Sequence, residues 1–469
     1  MYNVRDYGAK GDGVNLDSLY FQKAIDDCAA HGGGEVYIPS GSYVCGTMHL
    51  CDNVHIRFEN GAKILGSTNI EDFEPIEELS CVEYQDRSHT YFHQSLFYAE
   101  GCTNISFSGT GTIDMRSVWQ RDEHWREARG LKVPEYANPE YDYKMLLEKY
   151  EWLWTRGAKV IALKECKDVV ISDLVIKNAT DLAVYFAGCE NVRVTGLNLR
   201  VHIDGISPDS CKNVIISDCT VIAGDDCIVP KSSYTLNRLK PCENIIISNC
   251  IMQSHCNAIK FGTESLAGFK NIAITNCTIF DTYFSGIAVE SVDGAVIDGL
   301  TVSNITMKNV GNPFMILILH RGLAPVGTPI GKMRNITFSN ITATGPYGEF
   351  DFVPHGFPAY EKNITHEAMP MCMPTFIAGQ PDSVIENVTL SNINITMPGG
   401  GKEEDRNIVP PEVCTGYPEC TTFGSVLPVY GLFARHVNNL NLYNVNYYTY
   451  EEDARDAILT DRVTNYKNA

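Results

Sequence analysis

The chain has 469 residues, 44% of them hydrophobic and 20% charged, which is enough apolar material for a large globular core. Asp and Glu outnumber Lys and Arg by 57 to 37, a formal net charge of −20 that aids solubility and disfavours nucleic acid and anionic membranes as partners. No segment approaches the ~20 consecutive apolar residues of a transmembrane helix.

The first residues, Met1-Tyr2-Asn3-Val4-Arg5-Asp6-Tyr7, carry no charged-then-apolar leader, so a reducing, cytoplasmic setting is expected. From Ser18 to Ala30, Phe21, Ala24, Ile25 and Cys28 recur at steps of three and four. This predicts an amphipathic helix with Asp17 or Ser18 at its cap. Such a helix would cover the open first coil of a repeating scaffold.

The rest of the chain is governed by a unit of the form small/Cys-x-Asn-hydrophobic-x-hydrophobic. It appears at Cys102-Thr103-Asn104-Ile105, Cys166-Lys167-Asp168-Val169 and Cys189-Glu190-Asn191-Val192, then around Asn213, Asn244 and Asn271. It returns at Arg334–Asn340, Glu386–Asn392 and Asn439–Val445. Central units follow one another at roughly 22–31 residues, the period of a solenoid. Within each, apolar and polar residues alternate with period two, so the pieces are short strands. Asn and Gly between them suit left-handed corners. Leucine-rich repeats lack support in the Leu spacing, and a propeller needs about four strands per period of roughly 40 residues. The prediction is an all-β, right-handed parallel β-helix forming one domain over residues 1–469.

Exceptions to the repeat mark insertions at about 115–157, 345–382 and 398–430, which are expected to build the cleft. The first holds all four tryptophans, Trp119, Trp125, Trp152 and Trp154, and reads as a helical lid. Many of the 17 cysteines fall at one place in the unit or a few residues later. Stacked interior thiols explain them better than disulfides, and no spacing suggests a metal.

Two stretches on neighbouring units carry the chemistry: Asp204-Gly205-Ile206 and Gly224-Asp225-Asp226-Cys227. Stacked coils would bring the three aspartates to one face, and crowded carboxylates are what acid/base cleavage of a glycosidic bond requires. The rival reading is that they bond backbone at corners.

Together with Val4-Arg5-Asp6-Tyr7-Gly8-Ala9-Lys10-Gly11-Asp12-Gly13 and the Gly-Gly-Gly-Glu-Val-Tyr-Ile-Pro run at 32–39, these motifs resemble the polygalacturonase family, glycoside hydrolase family 28. The resemblance extends from about residue 3 to 310. It implies the β-helix fold and inverting hydrolysis, with Asp225 as general acid and Asp204 and Asp226 activating the attacking water. An inverting pair stands about 6.5–9.5 Å apart to admit that water.

The sequence also departs from the family pattern. The family's Asn-Thr-Asp becomes His202-Ile203-Asp204. Its Gly-His-Gly falls on Cys256-Asn257-Ala258, with His255 just before. Its Arg-Ile-Lys, which holds the acidic sugar, falls on Ala288-Val289-Glu290, where a carboxylate would repel galacturonate. Lys231 and Lys260 are candidates to compensate, or else pair with carboxylates for structure. Glu264 and Glu290 are candidates to bond sugar hydroxyls, or else turn residues. His320-Arg321 reads as a solvated strand end. The candidate substrate contacts are His202, Lys231, His255, Asn257, Lys260, Glu264 and Glu290.

The expected activity is exo-acting hydrolysis of pectin-derived oligosaccharides, at galacturonosyl-rhamnose or related α-linkages, with an oligosaccharide as partner and no cofactor. The alternatives are a polygalacturonase or other terminal-sugar glycosidase of the same fold, a β-helix lyase, and a non-catalytic carbohydrate-binding β-helix.

Overall fold

The computed structural model describes residues 1–77, 89–117, 157–348 and 372–469. Its strands pair in parallel, coil upon coil, in a right-handed β-helix as the repeat predicts. Strand Lys212–Ser217 is representative. It pairs in register with Glu190–Thr195 on one side and Cys242–Ser248 on the other. Its alternate residues Val214 and Ile216 are fully buried, so period-two patterning delivers every second side chain to the interior. One continuous apolar cluster extends from Val4 to Tyr447.

The recurring asparagines explain the corners. Asn191, Asn213, Asn244 and Asn271 adopt φ of 57°, 57°, 58° and 56°, a left-handed conformation that Asn tolerates better than most residues. Each also donates from Nδ2 to the residue one coil back: Asn213 to Asn191 at 3.0 Å, Asn244 to Asn213 at 2.8 Å and Asn271 to Asn244 at 2.7 Å. The cysteine positions stack inside as expected, with Cys166, Cys189, Cys211 and Cys242 all fully buried.

Helix Ser18–Ala30 forms as predicted and buries Phe21, Ala24, Ile25 and Cys28. Its capping differs. Asp17 occupies the N-cap position without a side-chain cap bond, because its carboxylate accepts from the amides of Lys10 (2.8 Å) and Gly11 (3.1 Å). The Ser18 hydroxyl accepts from the Gly46 amide. Both side chains tie loops together in place of capping.

The insertions need adjustment too. Residues 118–156, including the four tryptophans and the expected lid, lie outside the described residues, as do 349–371. Within the segment 345–382, Thr375–Ala378 is a regular strand of the solenoid, paired with Met315–Leu317 and Leu432–Arg435. The segment 398–430 contributes a short 3-10 helix, Glu403–Asn407.

A second parallel sheet positions the site. It runs through Met48–His49, Ser95–Glu100, Lys159–Lys164, Val184–Ala187 and Ile206–Asp209. Isolated bridges carry the pairing on from Ile206 to Ile228 and Ile259. All four residues of Val184–Ala187 and of Ile206–Asp209 are buried. The outward side of this sheet is therefore covered as well, in part by a small cluster that includes Phe92, Tyr185 and Leu236.

Candidate active site

Ile206 pairs with Ile228, and Ile228 with Ile259. The residues two places earlier, Asp204, Asp226 and Asn257, therefore hold the same position on three successive coils. Backbone bonds fix this register: Gly205 N donates to Asp226 O and Cys227 N to Asn257 O, each at 3.0 Å. A Cβ on Gly205 would collide with the Cys227 carbonyl, and one on Gly224 with the His202 carbonyl. Each motif glycine is thus what allows the coil beside an aspartate to close in.

The side chains continue the ladder. Asp226 N donates to Asp204 Oδ1 at 3.3 Å, Asn257 N to Asp226 Oδ1 at 2.9 Å and Ser285 N to Asn257 Oδ1 at 3.0 Å. Asn257 Nδ2 gives Asp226 Oδ1 a second bond at 2.8 Å. Asp204 and Asp226 are buried, whereas Asp225 is half-buried and the most open of the three. One oxygen each of Asp225 and Asp226 and the Cys256 sulfur all lie within 4.8 Å of one another.

Both candidate lysines are buried among carboxylates. Lys231 Nζ stands 3.4 Å from Asp204 Oδ2 and 3.3 Å from Glu264 Oε2. Lys260 Nζ stands 3.5 Å from Asp226 Oδ2. Burial by itself would lower both ammonium pKa values, but the carboxylates more than offset it. Glu264, Asp204 and Asp226 raise Lys231, and Asp226, with Tyr417, Glu290 and Glu419, lifts Lys260 well above the usual lysine range.

Glu264 has the opposite balance. Burial pushes its pKa up, but His89, Lys231 and Arg321 hold it well below the ordinary carboxylate value. Arg321 Nη2 donates to Glu264 Oε1 at 3.2 Å, and its Nε to Asp293 Oδ1 at 2.8 Å. Arg321 is thus a buried ion-pair partner and not the solvated strand end that its sequence context suggests.

Glu290 is fully buried, and neither of its carboxyl oxygens has a hydrogen-bond partner among the described residues. Burial, reinforced by Glu419 and Asp226 and opposed by Lys260 and Arg321, pushes its pKa up to about 8. His202 is buried with Nε2 at 2.9 Å from Ser117 Oγ. His255, also buried, sits one residue before Cys256.

Sequence reasoning did not single out Tyr417, His89, Ser117 or Asp293. Tyr417 comes from the segment 398–430, and its hydroxyl lies 3.3 Å from Lys260 Nζ and 3.0 Å from Thr263 Oγ1. The only available signal was that this segment interrupts the repeat. Cys256 holds the place of Asp225 on the next coil, since Ile228 pairs with Ile259, which is why its sulfur converges on Asp225 and Asp226.

The fold agrees with that of other proteins. The family model of glycosyl hydrolases family 28 matches residues 28–349. A probable polygalacturonase of Vitis vinifera is 25% identical over 321 residues, covering 65% of this chain but 60% of its own length. An exo-poly-alpha-D-galacturonosidase of Dickeya chrysanthemi is 23% identical over 440 residues, covering 84% of this chain and 71% of its own. The solved family 28 exopolygalacturonase of Yersinia enterocolitica superposes with a TM-score of 0.67 at 18% identity, over 99% of this chain and 78% of that one, which speaks to the fold. With the family match spanning residues 28–349, the chain belongs to glycosyl hydrolases family 28, a family of O-glycosyl hydrolases.

Proposed function

We propose that the protein hydrolyses pectin-derived oligosaccharides with inversion at the anomeric carbon, removing a galacturonosyl unit linked to rhamnose from the chain end. The observation that carries this reading is the aspartate stack. Asp225, the most open carboxyl, is the general acid that protonates the leaving oxygen. Asp204 and Asp226, buried behind it and each facing a lysine ammonium, take the proton of the attacking water. Asn257 fixes the Asp226 carboxylate through two bonds to one oxygen.

The choice of rhamnose follows from charge. Lys231 and Lys260 are both engaged by protein carboxylates, so a sugar carboxylate gains little from either. A neutral sugar beside Glu290 meets no repulsion. Exo action draws on Tyr417, which closes over Lys260; random internal cleavage of polymer would overturn it.

The relatives' names point instead to galacturonan as substrate, and a retaining rival would make Asp226 the nucleophile. A panel of pectic oligosaccharides followed by NMR separates these. The expected outcome is cleavage at galacturonosyl-rhamnose linkages with an initial product of inverted configuration. A retained anomer refutes the mechanism, and cleavage confined to galacturonan refutes the substrate.

A further inference from the structure

We infer that Glu290 is a specificity-determining residue, its carboxyl meeting the hydroxyls of an uncharged sugar in a compartment that Tyr417 covers. This inference rests on the glycosidase reading above and names the sugar class that its leaving-group side accepts.

The argument starts from an unmet demand. A fully buried carboxyl with no hydrogen-bond partner among the described residues on either oxygen is costly to keep unless something supplies the missing bonds. The group lies in the cleavage site: it follows Ala288, which pairs in register with Lys260 on the preceding coil, and Lys260 in turn faces Asp226.

Access requires displacing what covers the carboxyl, since both of its oxygens are buried. Residue 262, beside it on the preceding coil, is glycine, so no side chain from that position packs against Glu290 Oε2; a Cβ built there would stand 3.8 Å from it. Above Lys260, Tyr417 is held by the two contacts of its hydroxyl to Lys260 and Thr263. The residue is 37% exposed. A sugar that displaces Tyr417 brings hydroxyls able to replace both contacts.

The surrounding charges select what enters. Glu290 faces Lys260 from the preceding coil, Arg321 from the end of the following one, Asp226 from the aspartate stack and Glu419 from the segment that carries Tyr417. Lys260 is committed to Asp226, and Arg321 to Asp293 and Glu264. A sugar carboxylate would therefore meet acidic groups whose counter-charges are already taken. An uncharged sugar would meet a carboxyl that is protonated below about pH 8, which both donates and accepts. Once that group ionises it only accepts, and the donated bond is lost.

The test is competitive inhibition of whichever pectic oligosaccharide the enzyme cleaves. The probes are free rhamnose and free galacturonate, each at pH 7 and pH 9. In the wild type, rhamnose should inhibit better than galacturonate and weaken about 10-fold between those pH values, as a group titrating near 8 requires. Glu290→Gln, which stays neutral, should abolish that pH dependence. Glu290→Leu should weaken rhamnose at both pH values. The inference is overturned if the pH loss persists in Glu290→Gln, if Glu290→Leu binds rhamnose as the wild type does, or if galacturonate is the better inhibitor. Should Glu290→Leu fail to fold, the profile of the isosteric Glu290→Gln decides alone. The substrate reading is judged separately, from which bond is cut, so either idea can fail without the other.

Discussion

Each aspartate in the stack has a distinct environment, and the distinction is testable. Asp225→Asn removes the proposed acid from a half-buried position; kcat should fall by about 10²–10⁴-fold with little change in the urea midpoint. Turnover within a few-fold of wild type would exclude Asp225 as the acid. The buried glutamates make opposite contributions to stability. Glu264 has its pKa held well below the ordinary value, so it contributes stability above the unfolded pKa that is lost as pH falls. Glu290, raised to about 8, binds a proton in the folded state that the unfolded chain releases, so stability declines as pH rises from about 4.5 to 8. Urea midpoints should therefore peak near about pH 5 in the wild type. In Glu290→Gln the decline towards pH 8 should shrink; an unchanged slope would show that Glu290 is not protonated in the fold. The aspartates were legible in the sequence because they interrupt a repeat at a fixed step. The ion pairs around Glu264 were not, because the coil pairing slips from Ile228–Ile259 to Ser232–Ser265, two residues that no local pattern announces.

At the scale of the element, the corner asparagines combine a left-handed backbone with a side-chain bond to each neighbouring coil. Asn213 bonds both Asn191 and Asn244. Asn213→Ala loses both bonds and strains φ, and should cost about 1–3 kcal/mol in urea unfolding. Asn213→Gly, which relieves only the strain, should cost less. Equal losses would mean that the bonds alone matter. These corners made the fold readable, since Asn recurs where the chain must turn and alternation marks the strands between. The same logic failed at Asp17 and Ser18. Cap residues were recognised by type, yet their side chains serve Lys10, Gly11 and Gly46, contacts made by loops that sequence spacing does not locate. It also overextended the insertion at 345–382, because the strand Thr375–Ala378 is too short to show alternation.

At the scale of the whole molecule, an apolar column from Val4 to Tyr447 carries a site furnished by separate parts of the chain. Groups on the repeat, Asp204, Asp226, Asn257 and Lys260, could be placed from the sequence because coil position fixes them. Tyr417, Arg321 and His89 arrive from segments without periodicity and could not. The stacked register has a further consequence. Neighbouring coils are set about 4.8 Å apart by their hydrogen bonds, and the site is spread over them: Asp204 on one, Asp225 and Asp226 on the next, Glu290 two coils beyond. On the proposed roles, bond-breaking and sugar selection are written on different turns of one spring. An engineer could then rewrite the turn proposed to choose the sugar while the turns proposed to cut it keep their spacing.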